Sequence, residues 1–164
     1  MDDEIRTERL VMRRARMEDS AAMHRIMSDP VAMRYWSTPP HTELEQTERW
    51  IASMIQPDHE GSDDFIVTLD GDLIGKFGAW KLPEFGFLLD PAHWGKGYAS
   101  EAMAAFIEHR RGQGATELTA DVDPRNLPSL RLLSKHGFVE TGRAQRTWNV
   151  GGEWCDSIYL ELRL

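Results

Sequence analysis

Cysteine is nearly absent: Cys155 is the only one in 164 residues. That count excludes an intrachain disulfide and a cysteine-based zinc site, and it suits a reducing compartment. Long apolar runs are missing as well, since none approaches the roughly 18 residues that a membrane-spanning helix requires. Met1–Arg9 is acidic and polar rather than the basic, apolar start of a secretory leader, so the expected location is the cytoplasm. Cations are in deficit, with 19 Lys and Arg against 27 Asp and Glu and a net charge of −8. No basic field exists to hold duplex nucleic acid, although a local cationic site for a small anion is compatible with that balance. Repeats with a period of about 20 to 50 residues, coiled-coil heptads and low-complexity tracts are lacking. The histidines at 24, 41, 59, 93, 109 and 136 show no ligand spacing, which argues against a metal centre.

What is present fits one domain over residues 1–164. Apolar residues at 41% suffice for a core, and charged residues at 28% are too few for a disordered chain. Leu10–Ala15 reads as a first strand and Glu18–Ser28 as a short helix with Ala22, Met23, Ile26 and Met27 on one face. Thr42 followed by Glu45 forms a capping box, and Leu44, Thr47, Ile51, Met54 and Ile55 continue at helical spacing to Pro57. Asp58, Glu60, Asp63 and Asp64 read as a solvated loop. Phe65–Leu69 and Leu73–Trp80 form a hairpin around Asp70-Gly71-Asp72, because Asp-Gly adopts the positive φ angles of a tight turn. Phe85–Leu89 is nearly continuous in apolar character and belongs mid-sheet with both faces covered. Helix Tyr98–Arg111, strand Glu117–Val122, helix Asn126–His136 and strands Phe138–Trp148 and Trp154–Leu164 follow. The order is mixed α+β.

The segment Trp94-Gly95-Lys96-Gly97-Tyr98-Ala99-Ser100 joins the buried strand to an amphipathic helix. Glycines let the backbone turn sharply and approach a ligand, while the free N–H groups and positive dipole of the helix start favour phosphate. The turn therefore reads as a pyrophosphate cradle. It is not a Walker loop, since Lys96 lacks the following Ser or Thr, and it lacks the third glycine of a dinucleotide fingerprint.

Taken with Thr7-Glu8-Arg9-Leu10, Asp29-Pro30, Met33-Arg34-Tyr35-Trp36, Glu84-Phe85-Gly86-Phe87-Leu88-Leu89-Asp90-Pro91, Asn126-Leu127-Pro128-Ser129 and Lys135-His136-Gly137-Phe138, this turn resembles the GNAT acetyltransferase superfamily. The resemblance spans nearly the whole chain and is specific to the Rim-type branch, the ribosomal-protein N-terminal acetyltransferases. Trp94 stands where the superfamily signature carries Gln or Arg, with Gly97 and Ala99 at its small positions. The implied fold is a mixed, mostly antiparallel sheet of about seven strands with about four helices, splayed between its two middle strands. Acetyl-CoA would lie in that splay as cosubstrate, with no metal. Main chain of Phe87, Leu88 and Leu89 would bind the pantetheine arm, Trp94 to Ser100 the diphosphate, and Asn126 the arm from the next helix. Tyr35 and Trp36 would border the acceptor.

The chemistry can be sized. At pH 7 an α-amine of pKa about 7.8 is roughly one tenth neutral, and a lysine-like amine of pKa about 10.4 is neutral in roughly one molecule in 2,500. Deprotonation therefore costs about 1 kcal/mol for the first and about 4.6 kcal/mol for the second. Glu84, where the strand carrying the acetyl group begins, is the candidate base. A backbone N–H at Phe87 or Leu88 would hold the oxyanion. Leu133 occupies the position of the Tyr that many superfamily members use as acid, so the resemblance passes that role to Ser129. The expected enzyme is an acetyl-CoA-dependent N-acetyltransferase acting on a primary amine by direct attack, with a protein or peptide N-terminus as favoured acceptor. The alternatives are a small amine, such as a polyamine or amino-sugar antibiotic, and a non-catalytic module that holds acyl-CoA. A homodimer is the oligomer that this reading admits.

Overall fold

Asp70 and Gly71 adopt φ angles of 51° and 85°, the turn that folds β3 (Asp63–Leu69) back on β4 (Asp72–Lys81). Around this hairpin the computed structural model, which describes residues 4–164, builds one sheet in the order β1-β2-β3-β4-β5-β6-β8-β7. The other strands are β1 (Glu4–Arg6), β2 (Leu10–Arg13), β5 (Glu84–Leu89), β6 (Glu117–Val122), β7 (Val139–Val150) and β8 (Glu153–Arg163). The helices are α1 (Ser20–Met27), α2 (Leu44–Ile55), α3 (Tyr98–Gly112) and α4 (Leu127–Lys135). The sheet has eight strands rather than about seven. The additional one, β1, comes from the polar segment before Leu10, whose alternation is too short to signal a strand. No helix among the described residues is long and apolar enough to cross a membrane.

Strand alternation sends side chains into two cores, one on each face of the sheet. Phe65, Phe77, Phe85 and Leu89 pack with Met103 and Phe106 of α3 and Leu133 of α4. On the opposite face, Ile66 and Leu88 pack with Met23, Ile26 and Met27 of α1 and Ile51 of α2. β3 and β5 thus feed both cores, which is why Phe65–Val67 and Phe85–Leu89 carry almost no polar side chain. Phe106 is fully buried against Phe65, Phe77 and Phe85, with ring centroids 6.4, 5.6 and 5.8 Å away. Truncating it to Ala would cost about 3–5 kcal/mol.

Two local expectations change. The α2 capping box forms one residue later, between Glu43 and Gln46; the Glu43 N–H donates to Gln46 Oε1 at 2.9 Å. Asp63 and Asp64 are not loop residues but open β3, and both are buried. Arg110, His109 and Arg14 reach Asp63 at 2.7, 2.9 and 3.0 Å, and Lys76 reaches Asp64 at 2.8 Å. Burial pushes the Asp63 carboxyl up, and hydrogen bonding to Arg110 with the charges of His109 and Arg14 more than reverses this, leaving it below its ordinary range.

Candidate active site

Among the described residues β5 and β6 are the only parallel neighbours in the sheet, and they pair at a single position, Glu84 with Thr119. The Thr119 N–H donates to Pro83 C=O at 2.9 Å. Beyond this point the strands diverge. At the other end of β5, the Asp90 N–H donates to Ile74 C=O of β4 at 2.8 Å. Main-chain groups alternate sides along a strand, so both bonds give one phase: Gly86 and Leu88 face β4, while Phe87 and Leu89 face the gap towards β6. Trp94 occupies one of these groups, its indole N–H donating to Leu89 C=O at 3.0 Å. Phe87 presents both its N–H and its C=O to a gap with no partner strand.

The turn below the gap is shaped by Gly97, the N-cap of α3, at φ 83°. That left-handed conformation is one a side chain rarely adopts, and no atom lies within 4 Å of where a Cβ on Gly95 would stand. The first intrahelical bond runs from the Glu101 N–H to Gly97 C=O at 3.0 Å. The N–H groups of Tyr98, Ala99 and Ser100 therefore precede the first turn of hydrogen bonds and face outward with the positive end of a 15-residue helix. Lys96 is exposed beside them. Ser100 Oγ lies 2.9 Å from His136 Nε2 and accepts from Lys135 Nζ at 3.3 Å, which joins the end of α4 to this turn. Burial, then the charge of Lys135, lowers the His136 pKa, so that contact is made by a neutral imidazole at neutral pH.

The opposite side of β5 carries Glu84, Gly86 and Leu88. Trp36 packs against Leu88 in the second core and closes over Gly86, its Cη2 atom 4.0 Å from where a Cβ would stand. Glu84 is exposed as a residue, yet burial around its carboxyl, followed by the charge of Asp121, pushes its pKa up. Asp121 lies on this same face because Leu118, Ala120 and Val122 of β6 turn to the first core. Its Oδ2 accepts from the Trp148 indole at 3.0 Å. Tyr35 lies under two guanidinium groups, Arg34 at 5.0 Å and Arg125 at 5.6 Å. Arg125 in turn holds Asp123 and Glu153, tying the Tyr35–Trp36 loop to the start of α4 and to the β7–β8 hairpin. Asn126 is the N-cap of α4, its Oδ1 accepting from the Ser129 N–H at 3.4 Å.

The Acetyltransferase (GNAT) domain family matches residues 9–139, which take in both the gap and the turn. The chain belongs to the GNAT acetyltransferase family. The uncharacterized N-acetyltransferase p20 of Bacillus licheniformis is 30% identical to this GNAT chain, over 94% of it and 92% of the relative. A GNAT acetyltransferase structure from Bacillus anthracis superposes with a TM-score of 0.83 at 27% identity, covering 98% of each chain. The ribosomal L7/L12 α-N-protein acetyltransferase RimL shares the fold with a TM-score of 0.87 at 16% identity, covering 98% of this chain and 94% of its own.

This GNAT chain is an acetyltransferase, and acetyl-CoA is its cosubstrate. The unpaired main chain of Phe87, the Gly95–Gly97 turn and the free N–H groups of α3 fit that molecule's amides and diphosphate. Of the residues expected at the site, Phe87 lines the gap and Gly95 to Ser100 form the turn, whereas Glu84 and Trp36 stand on the other face of β5. Asn126 caps α4 over Ser129, and its neighbour Arg125 meets Tyr35. Leu88 directs its main chain to β4, and Trp94 spends its indole on Leu89, so neither offers the direct contact expected of it through those groups. Asp121 was missed, although the alternation of Leu118, Ala120 and Val122 with Thr119 and Asp121 is the signal that finds it. Lys76, buried on β4 and 5.8 Å from the Trp36 ring, carried no such signal. Among the described residues no group of three or more His, Cys, Asp or Glu is placed to hold a metal ion.

Proposed function

We propose that this GNAT acetyltransferase acetylates the α-amine of a protein or peptide N-terminus. The observation that carries the reading is the Glu84 carboxyl on the Trp36 face of β5, held above its ordinary pKa by burial and by Asp121. With its raised pKa this carboxylate is a better proton acceptor than an ordinary Glu, though still a far weaker one than a lysine-like amine. It matches an α-amine, whose deprotonation costs about 1 kcal/mol at pH 7, better than a lysine-like amine at about 4.6 kcal/mol. RimL is an α-N-protein acetyltransferase, and a second structure with the same fold is described as modifying the N-terminal serine of L7/L12. Both support the reading by analogy of fold.

Acetyl-CoA supplies the activated acetyl thioester. Gly95, Lys96, Gly97, Tyr98, Ala99 and Ser100 hold its diphosphate, and Phe87 and Asn126 orient its arm. The Phe87 N–H points into the gap, where it polarises a carbonyl oxygen. Glu84 takes the amine proton, directly or through one water, and the Ser129 hydroxyl returns a proton to the departing sulfur. Tyr35 and Trp36 orient the acceptor chain.

A small-amine acceptor is the second reading. It is favoured by a relative named L-methionine sulfoximine/L-methionine sulfone acetyltransferase from Salmonella typhimurium, 27% identical over 54% of this chain. It also draws on a spermidine N-acetyltransferase of the same fold. Mass spectrometry with labelled acetyl-CoA separates them. The panel holds peptides with a free α-amine and blocked lysines, the same peptides with a blocked α-amine, spermidine, and methionine sulfone. The proposal expects label on the free-α-amine peptides; label on spermidine or methionine sulfone alone overturns it.

A further inference from the structure

Arg9, in the turn between β1 and β2, is distant in sequence from the glycine turn but meets it from several directions. Its Nη1 donates to Lys96 C=O at 3.0 Å, and its guanidinium lies over the Tyr98 ring at 4.4 Å. Its Nη2 stands 3.3 Å from where a Cβ on Gly97 would be. Its Nε donates to Glu101 Oε1 at 2.8 Å and its main-chain N–H to Glu101 Oε2 at 2.9 Å. The Thr7 hydroxyl donates to the same Oε2. Glu101 is thus enclosed, and its carboxyl is ionised well into acid: burial would raise it, but hydrogen bonds from Thr7 and Arg9 bring it below its ordinary range.

Glu101 sits in the first turn of α3, the same positive helix end that faces the turn. A carboxylate there stabilises the helix, but it also competes with any second anion for the same field. An uncompensated Glu101 would repel a diphosphate. Arg9 answers that charge with its Nε and its main-chain N–H, one on each carboxylate oxygen, while its Nη1 fixes the Lys96 carbonyl.

We propose that Arg9 is a positioning residue for the coenzyme. It neutralises Glu101 and clamps the Lys96–Tyr98 turn, keeping the α3 N-terminus open to the diphosphate of acetyl-CoA. The inference rests on the assignment of that turn to the diphosphate. It implies that Arg9 matters only for the part of the coenzyme that carries negative charge. The thioester arm, bound along β5, should not sense it.

The test compares acetyl-CoA with S-acetylpantetheine, which has the thioester arm and no diphosphate. Arg9→Met should raise KM for acetyl-CoA about tenfold or more, with kcat unchanged. The kcat/KM for S-acetylpantetheine should stay within about twofold of the parent, which also shows that the variant is folded. Adding Glu101→Gln to Arg9→Met should restore most of the lost affinity, and raising the salt concentration should shrink the difference between parent and Arg9→Met. Arg9→Lys should fall between, since it keeps the charge but cannot hold Glu101 and the Lys96 carbonyl together. Unchanged KM for acetyl-CoA in Arg9→Met overturns the proposal, as does equal loss with both thioesters or failure of Glu101→Gln to rescue. Gly97→Val serves as the control for the assignment beneath it. If Gly97→Val weakens CoA binding while Arg9→Met does not, only the role of Arg9 fails; if neither does, the diphosphate lies elsewhere.

Discussion

The two seams on either side of β6 differ in one respect. Against β8, every residue from Glu117 to Val122 has a register partner. Against β5, only one position pairs before the strands part. The β6–β8 seam spends its main-chain hydrogen bonds on the fold, and the β5–β6 seam leaves those of Phe87 without a strand partner. Unpaired backbone in a sheet is costly when it is also dry, so on the proposed reading the coenzyme's amides would complete what the fold leaves open. Stability and binding are therefore carried by different parts of one sheet, and substitutions should separate them.

The largest expected effect lies on the closed side. Asp63→Ala leaves Arg14, His109 and Arg110 facing a buried void, and should cost about 3–5 kcal/mol of stability by denaturant titration. Because the Asp63 pKa is lowered in the folded protein, its contribution is present above the ordinary carboxylate range and is lost as pH falls from that range through the lower folded-state value. The unfolding free energy of the variant should accordingly fall less steeply than the parent's as the pH is lowered in the acid range. Such a loss would leave the open seam's chemistry intact in whatever fraction stays folded.

On the open side the effects should appear in kinetics with little change in melting. Glu84→Gln should lower kcat/KM about a hundredfold at neutral pH, with rate recovering as pH rises and the amine deprotonates unaided. A flat profile equal to the parent would remove Glu84 from proton transfer. Gly97→Val forces a branched side chain into left-handed backbone, a strain of about 1–3 kcal/mol concentrated at the turn. It should raise the Kd for CoA about tenfold by calorimetry. The smallest effect sharpens the comparison most. Asp121→Asn removes the charge that, after burial, raises Glu84, so the acid limb of kcat/KM should move to lower pH. A shift to higher pH, or none, would mean that the two carboxyls do not face each other in solution.

The glycine turn, the apolar β5, the hairpin at Asp70-Gly71 and the order of elements from Phe65 onward were legible because each rests on local chemistry. Periodicity and turn residues operate over a few positions, and the resemblance to GNAT enzymes added the parting of the middle strands. The residues that escaped depend on partners far along the chain. Asp63 and Asp64 look like loop residues until Arg14, Lys76, His109 and Arg110 close on them. Arg9 is a polar turn residue until the sheet carries it beneath α3. The one-residue shift of the α2 cap from Thr42 to Glu43 is local, since Gln46 rather than Glu45 reaches back, its Oε1 accepting from both the Thr42 and the Glu43 N–H groups.

Amide hydrogen exchange with and without saturating CoA tests the division of the sheet most directly. Slower exchange at Phe87, Leu89 and Tyr98–Ser100, with the β6 and β8 amides unchanged, is the predicted result. Exchange at Phe87 and the α3 N-terminus that stays at its free rate while CoA is bound would contradict it.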